Sequence, residues 1–155
     1  MKRKLFIAIL GIIVAVFLVF VVKNINFDNK MNSVKIMAEK GDASVQYNLG
    51  IAYYVGEGVA QNYKEAIKWF KLAADQGDAK AQSSLGASYI HGKGVTQNYE
   101  EAVKWLKLAA DQGDLQAQYN LAKCYYHGKG VTKDYEEAIK WIKLVADQGD
   151  AWAQY

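Results

Sequence analysis

GDAKAQSSLGASYIHGKGVTQNYEEAVKWLKLAADQ, residues 77–112, decides the fold. Residues 41–76 match it without insertion, and so do residues 113–148. A further copy opens as GDAWAQY over residues 149–155. A period of 36 residues marks a stacked solenoid. One such unit cannot bury its own apolar face and needs its neighbours to do so.

Each unit reads as two helices. Asp78 is placed to cap helix A, which runs on through Ala79, Ala81, Leu85 and Tyr89. Gly92 stands where a left-handed C-cap is needed, and Gly94 is expected to keep the loop open. Asn98 opens helix B, and Glu101 three residues later predicts a reciprocal capping box. Asn62 with Glu65 and Asp134 with Glu137 repeat the pairing. Gly113 closes the unit and Asp114 caps the next helix A.

Helical spacing sorts the faces. Gln46, Leu49, Gly50 and Tyr53 fall on one side of helix A, and a small residue at Gly50 admits a close neighbour. In helix B, Trp69, Trp105 and Trp141 recur at one place, followed by Leu72, Leu108 and Leu144. These are the expected packing positions. The positions that differ between units, 44, 47, 48, 51 and 55 and their equivalents, are expected opposite the packing face. They give the candidate contact residues: Tyr47, Asn48 and Ile51 in the first unit; Ser83, Ser84 and His91 in the second; Gln116, Tyr119, Asn120, Lys123 and His127 in the third. Aromatic and amide side chains suit protein contacts.

Three elements carry a family resemblance: the GDA-x-AQ-x-x-LG opening, the Tyr-x-x-Gly-x-Gly-Val loop and the Glu-Ala-x-x-Trp-x-x-x-Ala-Ala run. Over residues 41–155 the chain resembles the Sel1-like repeat family, relatives of the tetratricopeptide repeats. Ala122, Val145 and Leu115 are small departures from the pattern. The resemblance implies an all-α, right-handed α/α solenoid serving as an interaction scaffold, with helix A on the concave side. It also implies a protein or peptide partner and no cofactor. Some cysteine-rich members are attributed cell-wall or β-lactam hydrolase activity, resting on paired cysteines in each repeat. This chain has one cysteine, Cys124, so no enzyme activity is expected.

Composition agrees with a binding module. The net charge is +3, and Lys2, Arg3 and Lys4 supply all of it. The rest is neutral, which argues against nucleic-acid binding, since that requires a basic stripe. Carboxylates recur with the unit and pair with lysine at helical spacing, as Glu101 with Lys104. No HExxH, G-x-S-x-G or phosphate-binding loop occurs, and no small-molecule substrate is expected. His91 and His127 occupy one place in successive units, and Cys124 lies three residues before His127. That resembles a metal set, but Cys124 points about 60° from the His direction and replaces small packing residues, so no metal is expected.

Residues 1–4 form a basic head, and residues 5–22 contain no charged or polar side chain. At about 1.5 Å per residue, a helix of that length spans roughly 27 Å, close to a hydrocarbon core. No small-residue cleavage site follows. The expectation is one transmembrane signal anchor, with the N-terminus cytoplasmic and the repeats periplasmic or extracellular. Cleavage and release as a secreted effector is the alternative. Residues 26–40 align with helix B after a shift of 36, Ala38 falling on Ala74, and are expected to form a degenerate capping helix.

Overall fold

The computed structural model describes residues 31–149. The anchor segment 5–22, residues 26–30 of the capping helix and the fourth copy after Gly149 lie outside them. By its contacts the chain divides into residues 1–36 and residues 37–155. Of the first unit, residues 31–36 are described and are helical, within a helix over 31–39 (α1).

Six helices of equal length follow. Helix A of the three repeats is α2 (Ala43–Val55), α4 (Ala79–His91) and α6 (Leu115–His127). Helix B is α3 (Tyr63–Asp75), α5 (Tyr99–Asp111) and α7 (Tyr135–Asp147). There is no strand among the described residues. None of their helices is long and apolar enough to cross a membrane.

The caps explain the even lengths. Asp42, Asp78 and Asp114 each accept a hydrogen bond from the backbone N–H three residues on. Asn62 and Asn98 do the same for helix B, as does Asp134. Gly56, Gly92 and Gly128 close helix A in the left-handed region. The reciprocal half of the capping box does not form. The Asn98 N–H already donates to the Tyr89 carbonyl (3.0 Å), and the Glu101 carboxylate accepts from Lys104 Nζ instead (3.0 Å).

Gly94 has a different role from the expected one. Its φ is +76°, and a Cβ there would collide with the Tyr63 carbonyl of the preceding repeat. Gly130 meets the Tyr99 carbonyl in the same way. The loop is therefore a contact between repeats, and glycine is what allows the backbones to touch. Gly50 and Gly86 act as the sequence suggests. A Cβ at Gly86 would lie 2.7 Å from Leu106 Cγ and 3.2 Å from the Ala102 carbonyl, so helices A and B of one repeat meet at van der Waals limits.

The core lies mainly between repeats. Ala73 and Ala74 of α3 pack with Ala81 and Leu85 of α4, and Trp105 of α5 reaches back onto them. Val103, Leu106, Ala109 and Ala110 of α5 pack with Ala117, Leu121 and Cys124 of α6, and Trp141 repeats the reach. A fully buried Leu contributes about 1.5–3 kcal/mol, and Leu49, Leu85, Leu106 and Leu121 are all of that kind.

One expectation about helix B is corrected. Leu72, Leu108 and Leu144 are 47%, 49% and 45% exposed, not packed. The buried stripe is Ala66, Trp69, Phe70, Ala73 and Ala74. At 100° per residue, Leu72 falls about 130° from its centre. The deep position is the one after each Trp, held by Phe70 and Leu106. Trp69 is buried, whereas Trp105 and Trp141 are only half-buried.

A polar ladder runs through this core. Gln46, Gln82 and Gln118 are buried. Each donates from Nε2 to a carbonyl at the end of the preceding helical segment: Ala38 (3.0 Å), Ala74 (3.1 Å) and Ala110 (3.1 Å). Each also accepts on Oε1 from the glutamine ending its own helix B: Gln76 (2.7 Å), Gln112 (2.8 Å) and Gln148 (3.2 Å). One side chain thus gives a C-terminal carbonyl a second donor beside the glycine N–H three residues on, and fixes the stacking register. Ala38 serves Gln46 as Ala74 serves Gln82, so residues 37–39 take the helix B role.

Candidate functional site

The buried positions of helix A centre on Gln46, Leu49 and Gly50. The row opposite is 44, 48, 51 and 55, at i, i+4, i+7 and i+11. Its members in the third repeat are Gln116, Asn120, Lys123 and His127, and in the second Lys80, Ser84, Ala87 and His91. Asn48 and Ile51 carry it in the first. α4 also touches α6 directly, while no two helix B elements touch to a comparable extent. Helix A therefore lines the crowded side of the stack.

Two candidate residues, Tyr47 and Ser83, turn into the stack. Tyr47, Ser83 and Tyr119 share a position on the flank of helix A, about 70° from the open row. Tyr47 packs against the Ala73–Leu85 cluster and sits 5.9 Å from the Phe70 ring. Ser83 is buried. This position faces the next repeat, so Tyr47 and Ser83 belong to the stacking core. Tyr119 has the same place on α6 and is exposed, with Lys123 Nζ 5.6 Å from its ring centre.

The structure brings His91, Asn120, Lys123 and His127 together. They line a cavity of about 340 Å³ between α4 and α6, near the ends of both helices. Gln97, Tyr99 and Lys129 complete its rim, and Cys124 and Ile90 its apolar part. The signal for Lys129 was in the sequence: its position reads Glu57, Lys93, Lys129, a change of charge between otherwise similar loops. Gln97 is already engaged, donating to the Ile90 carbonyl (2.6 Å) and the Tyr99 hydroxyl (3.1 Å). The Lys129 ammonium lies 5.1 Å from the Tyr99 ring centre.

Burial pushes the Cys124 thiol pKa up, against a smaller opposing pull from Lys129 and Lys123. The thiol is free and buried, and the upward shift favours its protonated form, as suits a packing group. Among the described residues no group of three His, Cys, Asp or Glu side chains is placed to hold a metal.

A second opening, of about 230 Å³, lies on α6 and α7. Tyr126, Ile139 and Ile142 line it. Val103, the equivalent of Ile139, is 4% exposed beneath α6, whereas Ile139 is 54% exposed.

A family model described as Sel1 repeat matches residues 43–78, 79–114 and 115–150. No curated protein matches the chain. Among solved structures, the chain is 41% identical to a protective antigen present in uropathogenic Escherichia coli strains and displaying an SLR fold. That match has a TM-score of 0.77 and covers 79% of this chain and 26% of the antigen. A Sel1 repeat protein from Oxalobacter formigenes is 36% identical, with a TM-score of 0.75, over 83% of this chain and 52% of that one. Cysteine rich protein B of Helicobacter pylori shares the fold at 19% identity, with a TM-score of 0.65, over 81% of this chain and 92% of that one. The chain thus spans about a quarter and about half the length of the first two.

Proposed function

This chain belongs to the Sel1 repeat family, and on that premise we propose that it is a membrane-anchored adaptor that binds a protein or peptide on its helix A face. Sel1 repeat proteins generally mediate protein–protein interaction. One observation carries the choice of face. The scaffold positions repeat almost unchanged, while the open row of helix A changes chemistry from repeat to repeat: Asn48, Ile51 and Val55, then Ser84, Ala87 and His91, then Asn120, Lys123 and His127. Packing constrains none of them to differ, and binding of a specific partner gives a reason for it. The anchor rests on residues 5–22 and the basic head, and places the repeats outside the cytoplasm. No catalytic step is assigned.

The test is site-directed photocrosslinking of the full chain in its native membranes. A crosslinker at Asn48 or Asn120 should capture a partner, and one at Lys104 on the exposed side of α5 should not. Capture from Lys104 alone would sink the choice of face. Mass spectrometry of the mature N-terminus and a reporter fused after Tyr155 check the topology. A chain beginning beyond residue 22 means release as a secreted effector, and a reporter active only in the cytoplasm reverses the orientation.

A further inference from the structure

From the cavity between α4 and α6 we infer that this junction receives a carboxylate side chain, Asp or Glu, of the bound partner segment. The inference rests on the helix A face being the binding face and adds the chemistry of one subsite. Four basic side chains line the cavity, His91, Lys123, His127 and Lys129, and no carboxylate does. Lys68, Lys71, Lys104 and Lys140 each pair with a carboxylate of their own helix. Lys123 and Lys129 have no ion pair among the described residues, and their ammoniums rest over the rings of Tyr119 and Tyr99. Asn120 is half-buried and its side chain makes no hydrogen bond among the described residues. Burial disfavours the anionic form of the Cys124 thiol at the cavity, so it supplies no internal counter-charge.

The neighbouring junction shows that this is no consequence of the repeat alone. Between α2 and α4 the equivalents of His127 and Lys129 are again basic, His91 and Lys93, but those of His91 and Lys123 are Val55 and Ala87, so that junction has two basic side chains where this one has four. The equivalent of Ile90 is Tyr54, whose ring stacks edge-on against Tyr63 at 5.0 Å and occupies that space. The smaller Ile90 leaves the corresponding volume open against Tyr99. A helix C-terminus favours one nearby cation, which accounts for a histidine in the last turn. It does not account for Lys123 a turn earlier. About 340 Å³ is the small end of ligand pockets, suited to a side chain with its water and not to a cofactor. Ammonium and amide donors converging there match a carboxylate.

The chain has two histidines, and both line the cavity, so their imidazole signals report on it directly. The full chain in detergent micelles is titrated at pH 7 with an acetylated, amidated peptide carrying one central Glu among Ala and Leu. Its Gln counterpart, and the Gln peptide with a free C-terminus, form the other arms. The expected result is saturable movement of both imidazole signals by the Glu peptide, at least tenfold weaker with the Gln peptide. Lys123→Gln and Lys129→Gln should each weaken the Glu response about tenfold, and Lys104→Gln should leave it unchanged. Equal response to Glu and Gln peptides overturns the carboxylate assignment while leaving the helix A face as the binding face. A response to the free C-terminus alone overturns the assignment to a side chain. No movement of either signal with any peptide overturns the subsite, whatever partner the crosslinking returns.

Discussion

Gln82 is the most informative single position in the array. Its Nε2 donates to the Ala74 carbonyl across a buried contact, and its Oε1 accepts from Gln112 across a partly buried one. Gln82→Leu removes both bonds at nearly constant volume. Neither partner is fully orphaned, since Gly77 N–H still donates to the Ala74 carbonyl and Gln112 still donates to the Leu108 carbonyl. Two net hydrogen bonds at about 1 kcal/mol each, partly offset by the added apolar group, give a loss of about 1–2 kcal/mol at any pH. Gln82→Glu behaves differently. Protonated, its hydroxyl replaces the amide donor and the ladder survives. Ionised, it sets a buried carboxylate against the Ala74 carbonyl, at a cost of about 3 kcal/mol or more. This environment raises the folded-state pKa of the new carboxyl above its unfolded value of about 4.3. The penalty is therefore absent below the unfolded pKa and grows as pH rises above it, until the folded group ionises. Urea titrations followed by circular dichroism at pH 4 and pH 7 make the comparison, with Gln116→Glu on the exposed face of α6 as control. A Gln82→Glu variant whose deficit is equal at both pH values, or a Gln82→Leu variant as stable as the parent, refutes the ladder as a stabilising element.

The remaining predictions concern packing and backbone. Leu106→Ala should cost about 2–5 kcal/mol and Trp105→Ala somewhat less, about 2–4, because the indole is half-buried; Leu108→Ala should stay within about 0.5 kcal/mol. Denaturant midpoints rank the three, and a Leu108 variant as damaged as the Leu106 variant would reverse the assigned face. Gly94→Ala should destabilise by about 2 kcal/mol or more, from the left-handed φ plus the collision with the Tyr63 carbonyl. Gly77→Ala also has positive φ but meets open space, so it should cost only about 1 kcal/mol; similar melting shifts for both would deny the loop contact. Cys124 should react with a maleimide at least tenfold more slowly in the native protein than in urea, since burial disfavours the thiolate. Native and denatured labelling at one rate would mean the thiol is accessible.

The sequence carried the repeat, the helix boundaries and the close approach at Gly50 and Gly86, because caps and left-handed glycines act within a few residues of where they stand. The inner face of helix A was legible for the same reason. What escaped was mostly contact between units. Leu72 looks like a core residue by type, and only the neighbouring helix decides that Phe70 is buried in its place. Gln46 reads as a polar member of an apolar stripe until the Ala38 carbonyl comes within reach. Tyr47 and Ser83 vary like surface residues, yet they fill a junction where the facing side chains vary with them. The cavity was half legible. His91, Asn120, Lys123 and His127 are variable positions on one helical face, while Lys129, Gln97 and Tyr99 arrive from a loop and a helix start that helical periodicity does not relate to that face.

The corner between repeats has a consequence for how such a chain changes length. At each corner the same bonds recur: Gln76 and Asp78 N–H to the Ala73 carbonyl, and Gln112 and Asp114 N–H to the Ala109 carbonyl. A cut after Gln76 rejoined to Gly113 recreates an identical corner, with Gln118 offered the Ala74 carbonyl in place of Ala110. Whole 36-residue blocks can thus be lost or duplicated without a seam. The clefts between blocks are not interchangeable in the same way. Excising residues 77–112 would seat Lys123 and His127 against Val55 and Tyr54, a cleft that neither parent junction contains. Duplication and deletion in this architecture therefore reshuffle binding surfaces while leaving the framework intact.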